Sequence, residues 1–257
     1  ENQNIDKALN LGFHKYYPHV TVKGYQGYIA PSYWMHPVPQ SFELQNSLLP
    51  DQLYVISENR KKVILANCPS LDVRVASAFR FSYLYNVNKV ESVSEDPTIL
   101  ITLPIDIYES ERILNACVEL HSLVDTKINI LVKQHPTFER HVFAKLVPLF
   151  LNSAFILTDD SMAILLGRIS LLISSASSTC AEATSLGIPV AVYGNQHGVT
   201  VNPIADIEST TDNVFYSQGQ LAKFVNHSLK NNNQKKDIER YFFIDNGESA
   251  QALFVCE

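Results

Sequence analysis

The chain has 257 residues, a formal net charge of −6, and 46% hydrophobic against 18% charged residues. That balance suits a soluble core in one large domain or two small ones, and an acidic total with no Lys/Arg stripe excludes a nucleic-acid-binding role. The absence of a signal peptide and of any apolar run near 18 residues excludes a membrane span and export by a cleaved leader, while Cys68, Cys117, Cys180 and Cys256, widely spaced without a CxxC pair, fit a reducing cytoplasm and neither a disulfide nor a zinc framework.

From Glu1 to about Val90 the pattern is mixed. A helix is predicted over Asn2–Leu11, with strands at Val20–Val22, Leu53–Ser57, Val63–Ala66 and Val73–Ala78. Asn86–Pro97 is polar, closes on proline and reads as a linker between domains. Beyond it the alternation is regular: strand Thr98–Pro104, helix Glu109–Val124, strand Ile128–Val132, helix His141–Leu151, strand Phe155–Thr158 and helix Ser161–Leu166. Strand Ile169–Ile173, helix Ser178–Leu186, strand Val190–Tyr193 and helix Leu221–Leu229 follow. Strict alternation implies right-handed βαβ units and a doubly wound parallel sheet. The tail from Lys235 holds two more helical pieces split at Asp245-Asn-Gly, with an aromatic cluster at Tyr241-Phe-Phe that needs a surface to pack on.

The stretch Ile169–Gly194 carries the sharpest chemistry. A buried apolar strand runs into Ser174, Ser175, Ser177, Ser178 and Thr179, a short helix, and a stop at Gly187 followed by Pro189. Hydroxyls and backbone N–H groups at such a strand-to-helix turn favour a phosphate. Lys133 and His135 end the strand at Ile128–Val132, with Pro136 at the first position of the next helix. In an open parallel sheet ligands bind outside the carboxyl ends of the strands, so an imidazole and an ammonium stand beside the proposed cradle.

Lys133-x-His-Pro, followed some forty residues later by Ser-Ser-x-Ser-Ser-Thr-x-x-Glu-x-x-x-x-Gly-Ile-Pro, resembles the nucleotide-binding half of GT-B glycosyltransferases. The two motifs are most similar to those of bacterial sialyl- and Kdo transferases that use CMP-activated sugars. Gly24-Tyr-Gln-Gly, Pro50-Asp and Ala78-Phe-Arg-Phe81 are also similar to bacterial surface-carbohydrate (capsule, O-antigen) biosynthesis proteins. The resemblance implies a GT-B-like α/β architecture in three parts. Residues 1–90 are part of an acceptor-side Rossmann-like domain, 97–231 the donor-binding domain, and 232–257 a helical tail crossing back to the first. A whole acceptor domain exceeds 90 residues, so the chain reads as the carboxyl-terminal part of a longer protein.

The resemblance further implies that His135 contacts the CMP phosphate or cytidine with Lys133 nearby, that Ser177, Ser178 and Thr179 hold the phosphate, and that Glu182 faces the ribose. Donors aimed at the leaving phosphate stabilise it without metal, and no cofactor beyond the CMP-sugar donor is expected. The Asp/Glu-Asp/Glu-Gly motif that carries the base in several sialyltransferases is absent. Glu1 and Asp106 are the candidate carboxylates, as base or nucleophile, each also readable as a solvated loop acid. Arg80 is a candidate for a sugar carboxylate or a buried ion pair, and Gln26, between two glycines, a candidate for the cleft. His197 either lines that cleft or caps a loop, and Tyr16, Tyr17, Tyr25, Tyr28, Tyr33 and Trp34 offer stacking surface or core.

The leading function is a cytoplasmic glycosyltransferase that moves a sugar, Kdo or a sialic-acid-like acid, onto a glycan or lipid-linked glycan, compatible with peripheral association with the inner membrane. The alternatives are a CDP-polyol phosphotransferase, a UDP-sugar 2-epimerase of the same fold, or a non-catalytic GT-B scaffold.

Overall fold

The structure is a computed structural model that describes residues 3–29, 36–87, 96–139, 143–151, 153–198, 200–205, 213–231, 236–245, 248, 250 and 253. The chain divides into two compact units, Glu1–Ser82 with Ile238–Glu257, and Tyr83–Asp237.

In the first unit, strands β1 (Lys23–Gln26), β2 (Gln52–Val55) and β3 (Asp72–Val75) form a parallel sheet in the order β1-β2-β3. Helices α1 (Asn4–Tyr16), α2 (Ser41–Gln45) and α3 (Glu58–Asn67) accompany them. Val63–Ala66, predicted as a strand, lies inside α3. The Ser57 hydroxyl accepts from the Arg60 N–H and starts that helix. Parallel β2 and β3 need a crossover between them, and α3 supplies it with Ile64 packed among Leu53, Val55 and Val73. Helix α1 runs through Gly12 instead of stopping there and ends at Tyr16, two residues before Pro18, which disfavours helical geometry in its neighbour Tyr17. The predicted strand at Val20–Val22 forms three residues later, as β1.

The tail's aromatic cluster packs in this unit. Phe242 stacks on Phe81 with ring centroids 4.4 Å apart. Phe243 donates its N–H to Ile56 O at 2.8 Å and accepts from the Ala78 N–H at 2.7 Å. Asn246 and Gly247, and most of the residues after them, lie outside the described residues, as do 88–95 of the expected linker.

The second unit holds six parallel strands in the order β6-β5-β4-β7-β8-β9: β4 (Thr98–Thr102), β5 (Asn129–Lys133), β6 (Phe155–Leu157), β7 (Leu171–Ser174), β8 (Val190–Tyr193) and β9 (Val214–Phe215). The chain builds outward from β4 in one direction and, after returning to β7, outward in the other. The switch point of this doubly wound sheet therefore lies between β4 and β7. Its helices are α4 (Ile107–Cys117), α5 (Leu120–Leu123), α6 (Val147–Leu151), α7 (Met162–Leu166), α8 (Thr179–Ser185) and α9 (Gln218–Lys230).

The predicted helix Glu109–Val124 is two helices, broken at Val118–Glu119 and started earlier because Asp106 caps it. Of the predicted helix His141–Leu151, α6 is the final part, and residues 140–142 lie outside the described ones. The two-residue β9 carries no periodic signal and was not anticipated. The stop after α8 is as expected: Gly187 takes φ +73°, its N–H reaches Thr184 O at 2.9 Å, and Ile188 N–H reaches Ala183 O at 3.0 Å.

Pleating divides the strand side chains between two faces. Ile99, Ile101, Ile173 and Tyr193 join the core beneath α4 and α9, where Ile113 and Leu221 meet them. Thr102, Leu172, Ser174 and Val192 alternate with these and face the other side, where α8 packs on β7 and β8.

If Val63–Ala66 is helix, Ile64→Ala should cost about 2–5 kcal/mol in urea unfolding, whereas the largely exposed Ile5→Ala should stay within about 0.5 kcal/mol. Equal small effects would contradict the packing of α3.

Candidate functional site

The strand register aligns Lys133, Thr102 and Ser174 in one row across the carboxyl end of β5, β4 and β7. Paired residues in a parallel ladder point to the same face, which puts an ammonium stem and two hydroxyls on the α8 side. Thr102 is buried, and its hydroxyl donates to Ser174 Oγ at 2.7 Å. Thr179 Oγ1 donates to Ser177 Oγ at 3.0 Å and lies 3.2 Å from Thr102 Oγ1. A chain of hydroxyls thus runs from the buried switch point out to Ser177.

Ser177 ends that chain. Its Oγ accepts from the Thr179 N–H at 3.3 Å, and its own hydroxyl proton has no acceptor among the described residues. It is half-buried. Ser178 occupies the N-cap position of α8 yet does not cap it, because its hydroxyl donates to Glu182 Oε1 at 3.3 Å. Glu182 is only 5% exposed, and its other oxygen accepts the Tyr83 hydroxyl proton. Burying this carboxylate is tolerable because both oxygens are hydrogen-bonded. Tyr83, 99 positions away, left no signal in the sequence.

His135 Nδ1 accepts from the Thr137 N–H at 3.3 Å and lies 2.7 Å from Thr137 Oγ1. An acceptor Nδ1 leaves the ring proton on Nε2, which has no partner among the described residues. Burial holds this imidazole below its ordinary pKa, so near neutral pH it is an uncharged N–H donor. Pro136 sits in a turn and not in a helix start, since His135 ties the Thr137 and Phe138 N–H groups instead. Lys133 stands in the expected row, but its Nζ reaches away to Asp160 O, 2.7 Å distant beyond the end of β6.

The remaining candidates are dispersed. Glu1 lies outside the described residues, as do Tyr33 and Trp34. Asp106 accepts from the Glu109 N–H at 2.9 Å as the cap of α4, and its second oxygen has no partner among the described residues. Gln26 is 3% exposed and is no cleft residue. Its amide donates to Pro37 O at 2.8 Å and accepts from Arg60 Nε at 3.2 Å, tying β1 to α3. Arg80 is exposed with its guanidinium 5.5 Å over the Phe81 ring, and no ion pair forms among the described residues. Burial pushes the Cys117 and Cys180 thiols up to about 12, so neither is a nucleophile. Among the described residues no helix is long and apolar enough to cross a membrane, and no three His, Cys, Asp or Glu side chains converge on a metal position.

No protein-family model matches the chain, and no curated protein matches it in sequence. Solved structures do. A Staphylococcus aureus MnaA–UDP co-structure aligns with TM-score 0.59 at 15% identity over 93% of this chain and 68% of its own. A putative UDP-N-acetylglucosamine 2-epimerase from Listeria monocytogenes gives 0.55 at 15% identity over 93% and 67%. Another UDP-N-acetylglucosamine 2-epimerase gives 0.51 at 13% identity over 96% and 74%. The chain spans only 38% of an accessory secretory protein from Streptococcus pneumoniae that it also matches. These likenesses define the class: the fold is GT-B-like, built of Rossmann-like parallel-sheet units. No narrower family is defined by them.

The His135 ring should titrate below about 6.5, the free imidazole value, when its Cε1–H shift is followed by NMR. Because its folded pKa is lowered, its stabilising contribution is complete above that value. It is lost as pH falls through the window beneath, where the unfolded chain takes up the proton first. His135→Gln should remove that component of the acid sensitivity, and a midpoint at or above about 6.5 would refute the buried, Nε2-protonated assignment.

Proposed function

We propose that the chain is the donor-binding part of a GT-B enzyme that breaks the bond between a sugar and a nucleotide phosphate, transferring the sugar to a glycan or lipid-linked glycan destined for a bacterial surface. The observation that carries this reading is the pair of uncommitted neutral donors, Ser177 Oγ–H and His135 Nε2–H, at the ends of the strands flanking β4. Neutral donors aimed at a leaving phosphate stabilise its growing charge without holding the substrate in an over-tight ground state. Glu182, which accepts the Ser178 and Tyr83 hydroxyl protons, steadies the turn from beneath. Asp106, whose second oxygen is uncommitted, is the candidate base for the acceptor hydroxyl. The motif resemblance favours CMP as the nucleotide and an acidic sugar such as Kdo or a sialic acid. The enzyme would act in the cytoplasm or peripherally on the inner membrane.

A second reading keeps the site and changes the reaction to UDP-sugar 2-epimerisation. It is favoured by the UDP-N-acetylglucosamine 2-epimerases and the UDP co-structure among the similar folds.

Thermal unfolding with nucleotides separates the readings. CMP at about 100 times its Kd should add about 2.7 kcal/mol, and His135→Ala or Ser177→Ala should abolish most of that gain. Stabilisation by UDP alone would transfer the assignment to the epimerase, and no response to CMP, CDP or UDP would leave a scaffold. With an active donor–acceptor pair, Asp106→Asn should lower turnover about 10²–10⁴-fold; full activity in that variant would exclude it as the base.

A further inference from the structure

A cavity opens at the carboxyl ends of β8 and β9. It has a volume of about 550 Å³ and is lined by Arg112, Tyr193, Asn195, Gln196, His197 and Tyr216. The Tyr193 side chain points into the α4 and α9 face, whereas Thr102 and Ser174 point to the α8 face.

Arg112 is the one charged side chain lining it. The guanidinium lies 5.3 Å over the Tyr193 ring, and Nη2 donates to Gly194 O. Nη1 is buried without a hydrogen-bond partner, and no carboxylate pairs with this arginine among the described residues. A half-buried cation with no counter-charge and an unmet donor is costly unless a ligand completes it. The rim is neutral and suited to hydroxyls. The Gln196 amide donates to His197 Nε2 at 3.1 Å, so the His197 ring proton is on Nδ1 as a further donor. Gln196 Oε1 has no partner among the described residues, and the Tyr216 hydroxyl closes the loop on Gly198 O at 3.3 Å.

We propose that this cavity binds a small hydroxylated monocarboxylate, with the carboxylate on Arg112 and its hydroxyls on Gln196 and His197. One guanidinium, already spending Nη2 on a carbonyl, offers a single compensating charge, which matches a carboxylate better than a phosphate dianion. The volume is that of an ordinary small-molecule pocket. The proposal does not rest on the nucleotide reading, because none of its residues belongs to the hydroxyl chain.

The test is calorimetric titration of the whole chain at fixed ionic strength with glucuronate, methyl glucoside and inorganic phosphate. Glucuronate should bind, methyl glucoside should not, and phosphate should bind more weakly than glucuronate. Arg112→Met should weaken glucuronate at least tenfold, Arg112→Lys should weaken it less, and Gln196→Ala, at an exposed position, should weaken it several-fold without altering the melt. His135→Ala should leave glucuronate binding intact whatever it does to CMP. No glucuronate binding, equal binding of the neutral sugar, preference for phosphate, or an unaffected Arg112→Met each overturns the proposal. Should Arg112→Met fail to fold, Gln196→Ala and the comparison of the three probes decide it.

Discussion

One buried hydroxyl, that of Thr102, ties the carboxyl edge of the six-stranded sheet together at its switch point. It donates across to Ser174 and lies against Thr179 at the start of α8, so the ends of β4 and β7 and the turn between β7 and α8 share a single polar chain. Such a bond contributes only about 1 kcal/mol net, but leaving its partners buried and unsatisfied costs more. The chain is therefore completed inward and left open at its outer end, where Ser177 keeps a free proton. A doubly wound sheet must part its strands' connections at this point, and the hydroxyls occupy the crevice that results.

The pleat then assigns chemistry to faces. Thr102 and Ser174, at the carboxyl ends of β4 and β7, present hydroxyls to the α8 face, while Ile101, Ile173 and Tyr193 feed the apolar core under α4 and α9. At the rim of that second face the core gives way to Arg112 stacked on Tyr193, a cation held by an aromatic ring and a carbonyl instead of by an acid. The two faces thus differ at this edge: a hydroxyl chain on one, and on the other a guanidinium with no carboxylate partner among the described residues.

The acids near the switch point have structural as well as chemical work. Glu182 is buried and held by two hydroxyls, which fixes the first turns of α8. Asp106 satisfies a helix N–H with one oxygen, so its position is set by the cap. Gln26 is wholly structural, since burial and its bonds to Pro37 and Arg60 leave it no reach to a ligand.

Much of the second unit was legible in order: apolar runs of strand length alternating with amphipathic segments name a parallel sheet, and the serine turn with its Gly187 stop is written in adjacent residues. Local signals failed where tertiary context outvoted them. Val63–Ala66 is β-branched enough for a strand but serves as the crossover that two parallel strands require, and β9 is too short to have a period. Lys133 and His135 were placed correctly at a strand end, yet only the fold shows that Lys133 turns to Asp160 and that Thr137 sets the tautomer of His135. Neither the Tyr83–Glu182 bond nor the pairing of Arg112 with Gly194 has any trace in spacing, for both join residues more than eighty positions apart. By itself, then, the sequence determined the alternating architecture and the hydroxyl-rich turn, because both rest on neighbouring residues. The tertiary structure decided which donors stay free and which charges lack partners, because those depend on contacts that exist only once the strands are aligned.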